Sequence, residues 1–525
     1  MHFFLASTAL LALLKPHHAS AASVDFIKTV TLDIANHDLA PDGFQQSTIV
    51  ANGQYPGPAI TAFKGQKLLV TVNNKLTDSS MRQSTTVSFD DIFQTTENAY
   101  NEGSAFVTTC PIAPGASYTY EVPLGEQTGT YWYHRDFAAL SSFMVHSRSS
   151  VHYYSSSRSY TDPFDPHRNL YDVDDLSTLL QLGDWWQIPS VTLLTGYEGT
   201  GIVPVSDSGT VNGIGRYQGG PAVPFAVTNV ISGKRYRLRI INQSARSVFT
   251  VSIDNHPLTI IETNGVSTVP HTVDIVEMLA GQRYSVVINA NQPVANYWIN
   301  APFVGGLPSR NLHQNATLSR SILRYKGAPI AEPTTPWTLG PVNGTVLVEA
   351  DLAPLVNTVP PPVDITISLD FQVVAGKAIW NVNNISYLPP KVPTLNQVLA
   401  GASNSADFGP TENTFVLPAH KTIQIEFPPT EDDDAHSFHL HGSNFWLIKS
   451  MSSPNQNTVN PIRRDVAGVG GSGTIVRFRT DNPGWSRHRH AIQPVQYSDI
   501  RQNANPSVAW KELCPTYDAL PAELQ

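Results

Sequence analysis

At 525 residues, 41% of them apolar and 14% charged, the chain is too long for one compact core and too apolar to be disordered. Two to four domains are expected. Formal net charge is −9, from 33 basic against 42 acidic residues with no basic run, which argues against nucleic acid or an anionic membrane surface as a partner.

Met1 to Leu14 is a short apolar run, followed by the small-x-small pattern Ala19-Ser20-Ala21. A run of about ten to fourteen residues is too short to span a bilayer. Residues 1–22 therefore read as a signal peptide, and the mature chain is expected to be secreted and extracellular. Beyond it, strand signals recur: Lys67–Val72, Tyr236–Ile241, Tyr284–Ile288 and Thr422–Phe427, each rich in β-branched and aromatic residues. Their lead-ins rhyme, as Gly65-Gln66-Lys67, Gly233-Lys234-Arg235 and Gly281-Gln282-Arg283. Long helical periodicity is scarce, and the 40 Pro and 34 Gly are scattered as turn punctuation. An all-β chain of three repeated β-sandwich modules follows.

Candidate linkers are Asp162–Pro166, Pro329–Pro341 and Pro354–Val363. Residues 137–158 are Ser-rich without clean alternation, and read as a loop or low-complexity insertion. Two cysteines, Cys110 and Cys514, imply one disulfide in an exported chain, the alternative being two buried free thiols. A loop of that length contributes roughly 4–5 kcal/mol in the chain-entropy picture. Sequons at Asn242, Asn315, Asn343 and Asn384 are permissive for glycans.

The sharpest chemical signal is His436-Ser437-Phe438-His439-Leu440-His441-Gly442. In a strand His439 and His441 share a face, and converging imidazoles suit Cu, Zn, Fe or Ni. A lone histidine is usually structural; three at this spacing read as a metal site. His488-Arg489-His490 repeats the His-x-His spacing, and His134 follows the strand-like Gly129–Tyr133. Each of these two, taken alone, reads as readily as an ordinary solvated strand.

These residues sit among longer passages: Tyr55-Pro56-Gly57-Pro58, Gly103–Val107 leading to Cys110-Pro111-Ile112, Leu170–Asp175, Arg463-Arg464-Asp465-Val466, Thr480–Gly484 and Leu513–Tyr517. With them the chain resembles the laccases, multicopper oxidases of three cupredoxin-like Greek-key domains, over nearly its whole mature length. The resemblance implies domains at 23–158, 159–332 and 333–525, a monomer, and four coppers per chain. It also implies oxidation of a phenol or aromatic amine coupled to reduction of O2 to water. His436 would hold the type 1 copper, His439 the type 2 copper, and His134, His441, His488 and His490 the type 3 pair.

The departures are as specific. Where the family has His-Trp-His-Gly this chain reads Ser88-Phe89-Asp90-Asp91, and His-Ser-His becomes His134-Arg135-Asp136. Arg489 stands at the type 1 thiolate position and Pro494 at the second type 1 histidine. A guanidinium carries no lone pair for a metal. Asp90 and Asp136 are possible substitute oxygen ligands. Fewer than four coppers are expected. Three readings stay open: a working laccase, a secreted copper-poor binding protein without turnover, and an active laccase whose gene was mis-spliced at these motifs.

Overall fold

A computed structural model describes residues 27–136, 148–154, 165–373, 380–430, 435–481, 493–495 and 504–521. The leader at 1–22 and His488, Arg489 and His490 lie outside them, as do the side chains of Asp136 and Pro494.

Strict period-two alternation builds the first module. Ser117–Pro123 buries Tyr118, Tyr120 and Val122 and turns Ser117, Thr119 and Glu121 to solvent. Lys67–Lys75 alternates likewise. These strands lie in one four-stranded sheet, in the order Gln46–Ala51, Ile27–Leu39, Lys67–Lys75, Ser117–Pro123. A second follows the order Ile60–Phe63, Arg148–Tyr154, Gly129–Asp136, Thr86–Asp90. Leu32, Val70, Val72, Phe89, Tyr120 and Tyr133 belong to one buried cluster drawn from both sheets.

The middle of the chain forms a seven-stranded and a six-stranded sheet, and the last third a five-stranded sheet with two-stranded pairs. The all-β expectation holds, and three of the four strands read from sequence are longer by two or three residues: Lys67–Lys75, Arg235–Asn242 and Arg283–Asn289. Thr422–Phe427 coincides. The Ser-rich segment is corrected in part. Arg148–Tyr154 is a strand, with Ile60–Phe63 on one side and Gly129–Asp136 on the other. A backbone ladder on both edges outweighs serine composition.

Two short C-terminal helices, Val508–Lys511 and Leu513–Asp518, return to the first module. Trp510 and Tyr517 join its buried cluster, and Trp510 Nε1 donates to the Thr108 carbonyl at 3.2 Å. Cys110 and Cys514 are bridged there across 404 residues. Asn242, in one of the four sequons, is fully buried, and its amide donates to the carbonyls of Ser247 and Met278 at 2.9 and 2.8 Å. Asn343 and Asn384 are exposed and Asn315 half-buried. Among the described residues no helix is long and apolar enough to cross a membrane.

Candidate metal centre

Strand register explains why distant side chains meet. In the pairing of Thr86–Asp90 with Gly129–Asp136, Ser88 lies opposite His134 and Asp90 opposite Trp132. Directly opposed residues share a face, so Ser88, Asp90, Trp132 and His134 all point one way. His134 Nε2 lies 3.1 Å from Asp90 Oδ1, and its Nδ1 lies 2.9 Å from the Arg135 carbonyl. Arg135, one residue on, points oppositely and donates to Thr85 Oγ1 and to the carbonyls of Arg82 and Ser84.

The third module supplies the rest. His436–His439 pairs antiparallel with Val466–Val469, which brings the Asp465 carbonyl to 3.0 Å from His439 Nδ1. His439 Nε2 faces Asp91 Oδ1 at 3.2 Å. His441, just past the strand, places Nδ1 2.5 Å from Glu102 Oε1. The His439 and His441 rings are 4.5 Å apart, and one ligand atom from each lies within 4.8 Å of a carboxylate oxygen of Asp90. His134, Asp90, His439 and His441 thus converge, all buried. His436 is half-buried, belongs to neither described metal-ligand group, and by alternation leaves its strand on the face opposite His439.

Four residues that the sequence did not mark complete the wall. Glu102 accepts from Ser88 Oγ at 3.2 Å and from the Ser104 amide at 2.9 Å. Asp465 takes a forked pair from Arg283, at 3.0 and 2.8 Å. Arg283, from the middle module, also pairs with Asp91 and donates to the Thr130 carbonyl at 3.0 Å. One fully buried guanidinium therefore ties all three modules together. Asp91 sits in the left-handed region at φ 75°, at the place where the family has glycine. Pro494 lies in the strand Gln493–Val495, paired parallel with Thr414–Val416.

Burial pushes the Asp90 carboxyl up, but the His134, His439 and His441 imidazoles more than reverse this and hold it well below the usual range. For Asp91 burial prevails over Arg283, and its carboxyl stays well above that range. Burial, then neighbouring His441, lowers His439 to about 4. Burial raises Glu102 and Asp465, and their partners, His441 and Arg283 respectively, overturn the effect and bring each to about 2. A carboxylate with a depressed folded pKa stabilises above its unfolded pKa and loses that contribution as pH falls through the folded one. Between pH 4.5 and 2, Glu102 alone is expected to forfeit on the order of 3 kcal/mol. Asp91 has the opposite sign and acts above that window. Urea midpoints should fall steeply across it for the native chain and less steeply for Glu102→Gln; parallel profiles would refute the assignment.

Three segments, residues 33–149, 177–328 and 387–493, match models of the multicopper oxidase family. The chain belongs to that family, whose cofactor is copper. A laccase-like protein of Ampulloclitocybe clavipes is 52% identical over 69% of this chain and 95% of its own length. Laccase-4 of Thanatephorus cucumeris is 45% identical, covering 93% and 90%, and laccase-2 of Agaricus bisporus 40% identical, covering 95% and 96%. The solved laccase of Botrytis aclada superposes with a TM-score of 0.80 at 26% identity, over 94% of this chain and 92% of that one. Within the family this is a chain of the laccase type.

The described residues do not fit the family's copper complement. The cluster brings three imidazoles against four buried carboxylates, and at the family's His-x-His place stand a hydroxyl committed to Glu102 and a carboxylate bound to His134. His436 belongs to neither described metal-ligand group, and Arg489, whose guanidinium carries no lone pair for a metal, lies outside the described residues.

Proposed function

We propose that this chain is a secreted laccase-type multicopper oxidase in which four-copper turnover is impaired. The family supplies the substrate class, phenols and aromatic amines with O2 as electron acceptor. The observation that carries the impairment is Asp90, bonded to His134 at 3.1 Å inside the cluster, at a place where the family sets an imidazole. Blue copper needs a thiolate with two imidazoles, and Arg489 and Pro494 replace two of those three donors. The leader at residues 1–22 and the Cys110–Cys514 bridge support export. The division of the strands among sheets supports a reading of three domains, placed at 23–158, 159–332 and 333–525, and a monomer is the expected state.

The secreted full-length chain, reconstituted with Cu(I) and reoxidised, should hold fewer than four coppers and show no blue thiolate-to-copper absorption. Oxygen uptake with a simple phenol should stay near background. Four coppers per chain with a blue band would overturn the reading.

A further inference from the structure

We propose that Asp90, His439 and His441 form a site for a single divalent first-row transition ion, in place of the family's copper cluster. The proposal rests on the reading that four-copper binding is lost.

Three features carry it. One ligand atom from each residue lies within 4.8 Å of the others, and all three side chains are buried. Metal–ligand bonds of about 2.0–2.2 Å place neighbouring donors about 3 Å apart, so sub-ångström to ångström side-chain adjustments close this triangle. Next, each imidazole is already oriented as a ligand is. His439 Nδ1 meets the Asp465 carbonyl at 3.0 Å and His441 Nδ1 meets Glu102 Oε1 at 2.5 Å. Both acceptors offer only lone pairs, so both Nδ1 atoms carry their protons and turn Nε2 inward. Anchoring of the outer ring nitrogen by a carbonyl or carboxylate is the usual support for a metal-bound histidine. The third feature is charge. Asp90, Asp91, Glu102 and Asp465 are all buried; their described ion pairs are with His134, His439 and His441 and with one guanidinium, Arg283, so neutral imidazoles leave one cation for four carboxylates. Buried carboxylates in excess of their cations call for protons or a metal.

The neighbouring triad of Asp91, His439 and Asp465 has comparable spacing, yet Arg283 is bonded to both of its carboxylates. An ion there would face a permanent positive charge. Asp90 has no such neighbour, and the site is assigned to it. Two imidazoles with one carboxylate suit Fe(II) and Zn(II); Mg(II), which prefers oxygen donors and its own water, should be rejected.

The test uses the full chain stripped by chelator, then titrated separately with Zn(II), Cu(II), Mg(II) and, without oxygen, Fe(II). Calorimetry and elemental analysis after gel filtration give affinity and stoichiometry. One Zn(II) or Fe(II) per chain is expected, with Mg(II) silent. Asp90→Asn should weaken binding at least about 100-fold, and Glu102→Gln about 10-fold or more. Glu121→Gln, on an exposed strand face outside the cluster, should leave affinity within about threefold, and near-UV circular dichroism identifies variants that stay folded. No bound ion, or an affinity untouched by Asp90→Asn yet lost in Asp91→Asn, would overturn the site while sparing the proposed impairment. Four coppers per chain would overturn both.

Discussion

Arg283→Met is expected to destabilise the folded chain by about 3–5 kcal/mol, lowering the thermal midpoint by roughly 3–5 °C for a chain of this length. Methionine keeps much of the side-chain bulk but removes the fork that pairs with Asp465 and Asp91, both of them buried. Two carboxylates then remain in the interior with no bonded cation, and the backbone carbonyls of Thr130 and Gly281 lose their donor. Adding Asp465→Asn and Asp91→Asn to Arg283→Met should recover more than half of the loss, because neutral amides need no counterion. Scanning calorimetry of the three proteins decides it. A single variant that melts with the native chain would remove Arg283 from its role.

Opening the Cys110–Cys514 bridge should have the next largest effect, about 2–5 kcal/mol, since it closes a loop of 404 residues. Beyond stability, it fastens the two terminal helices against Tyr100 and Phe106 of the first module, whose rings meet Trp510 and Tyr517 at 5.9 and 5.5 Å. In the Cys110→Ala, Cys514→Ala double variant, trypsin should cut after the exposed Lys511 many-fold faster than in the native chain. Equal cutting rates would show that aromatic packing alone holds the tail.

The strands were legible because their burial alternates with the pleat: Ser117–Pro123 and Lys67–Lys75 carry their faces in their sequence. Arg148–Tyr154 was not, because it owes its form to neighbours on both edges. Imidazole convergence was legible for His439 and His441, which the chain places two residues apart. The carboxylate wall was not. Glu102 reaches His441 across 339 residues and Arg283 reaches Asp465 across 182, and neither spacing leaves a local pattern. Arg283 opens a strand, where an arginine ordinarily means a solvated end. Asn242 reads as a surface sequon, yet the backbone groups it satisfies are visible only in the folded chain.

The left-handed turn at Asp91 bears on how this lineage can change. Installing histidine at 88 and 90 would return two donors but leave a carboxylate clasped to Arg283 beside them. Exchanging that carboxylate for glycine would relax a conformation costing roughly 1–2 kcal/mol, and would strip the guanidinium of one of its two counterions. Placing a family-like His-x-His-Gly at 88–91 therefore calls for a compensating change at Arg283, so the exchange demands several substitutions together.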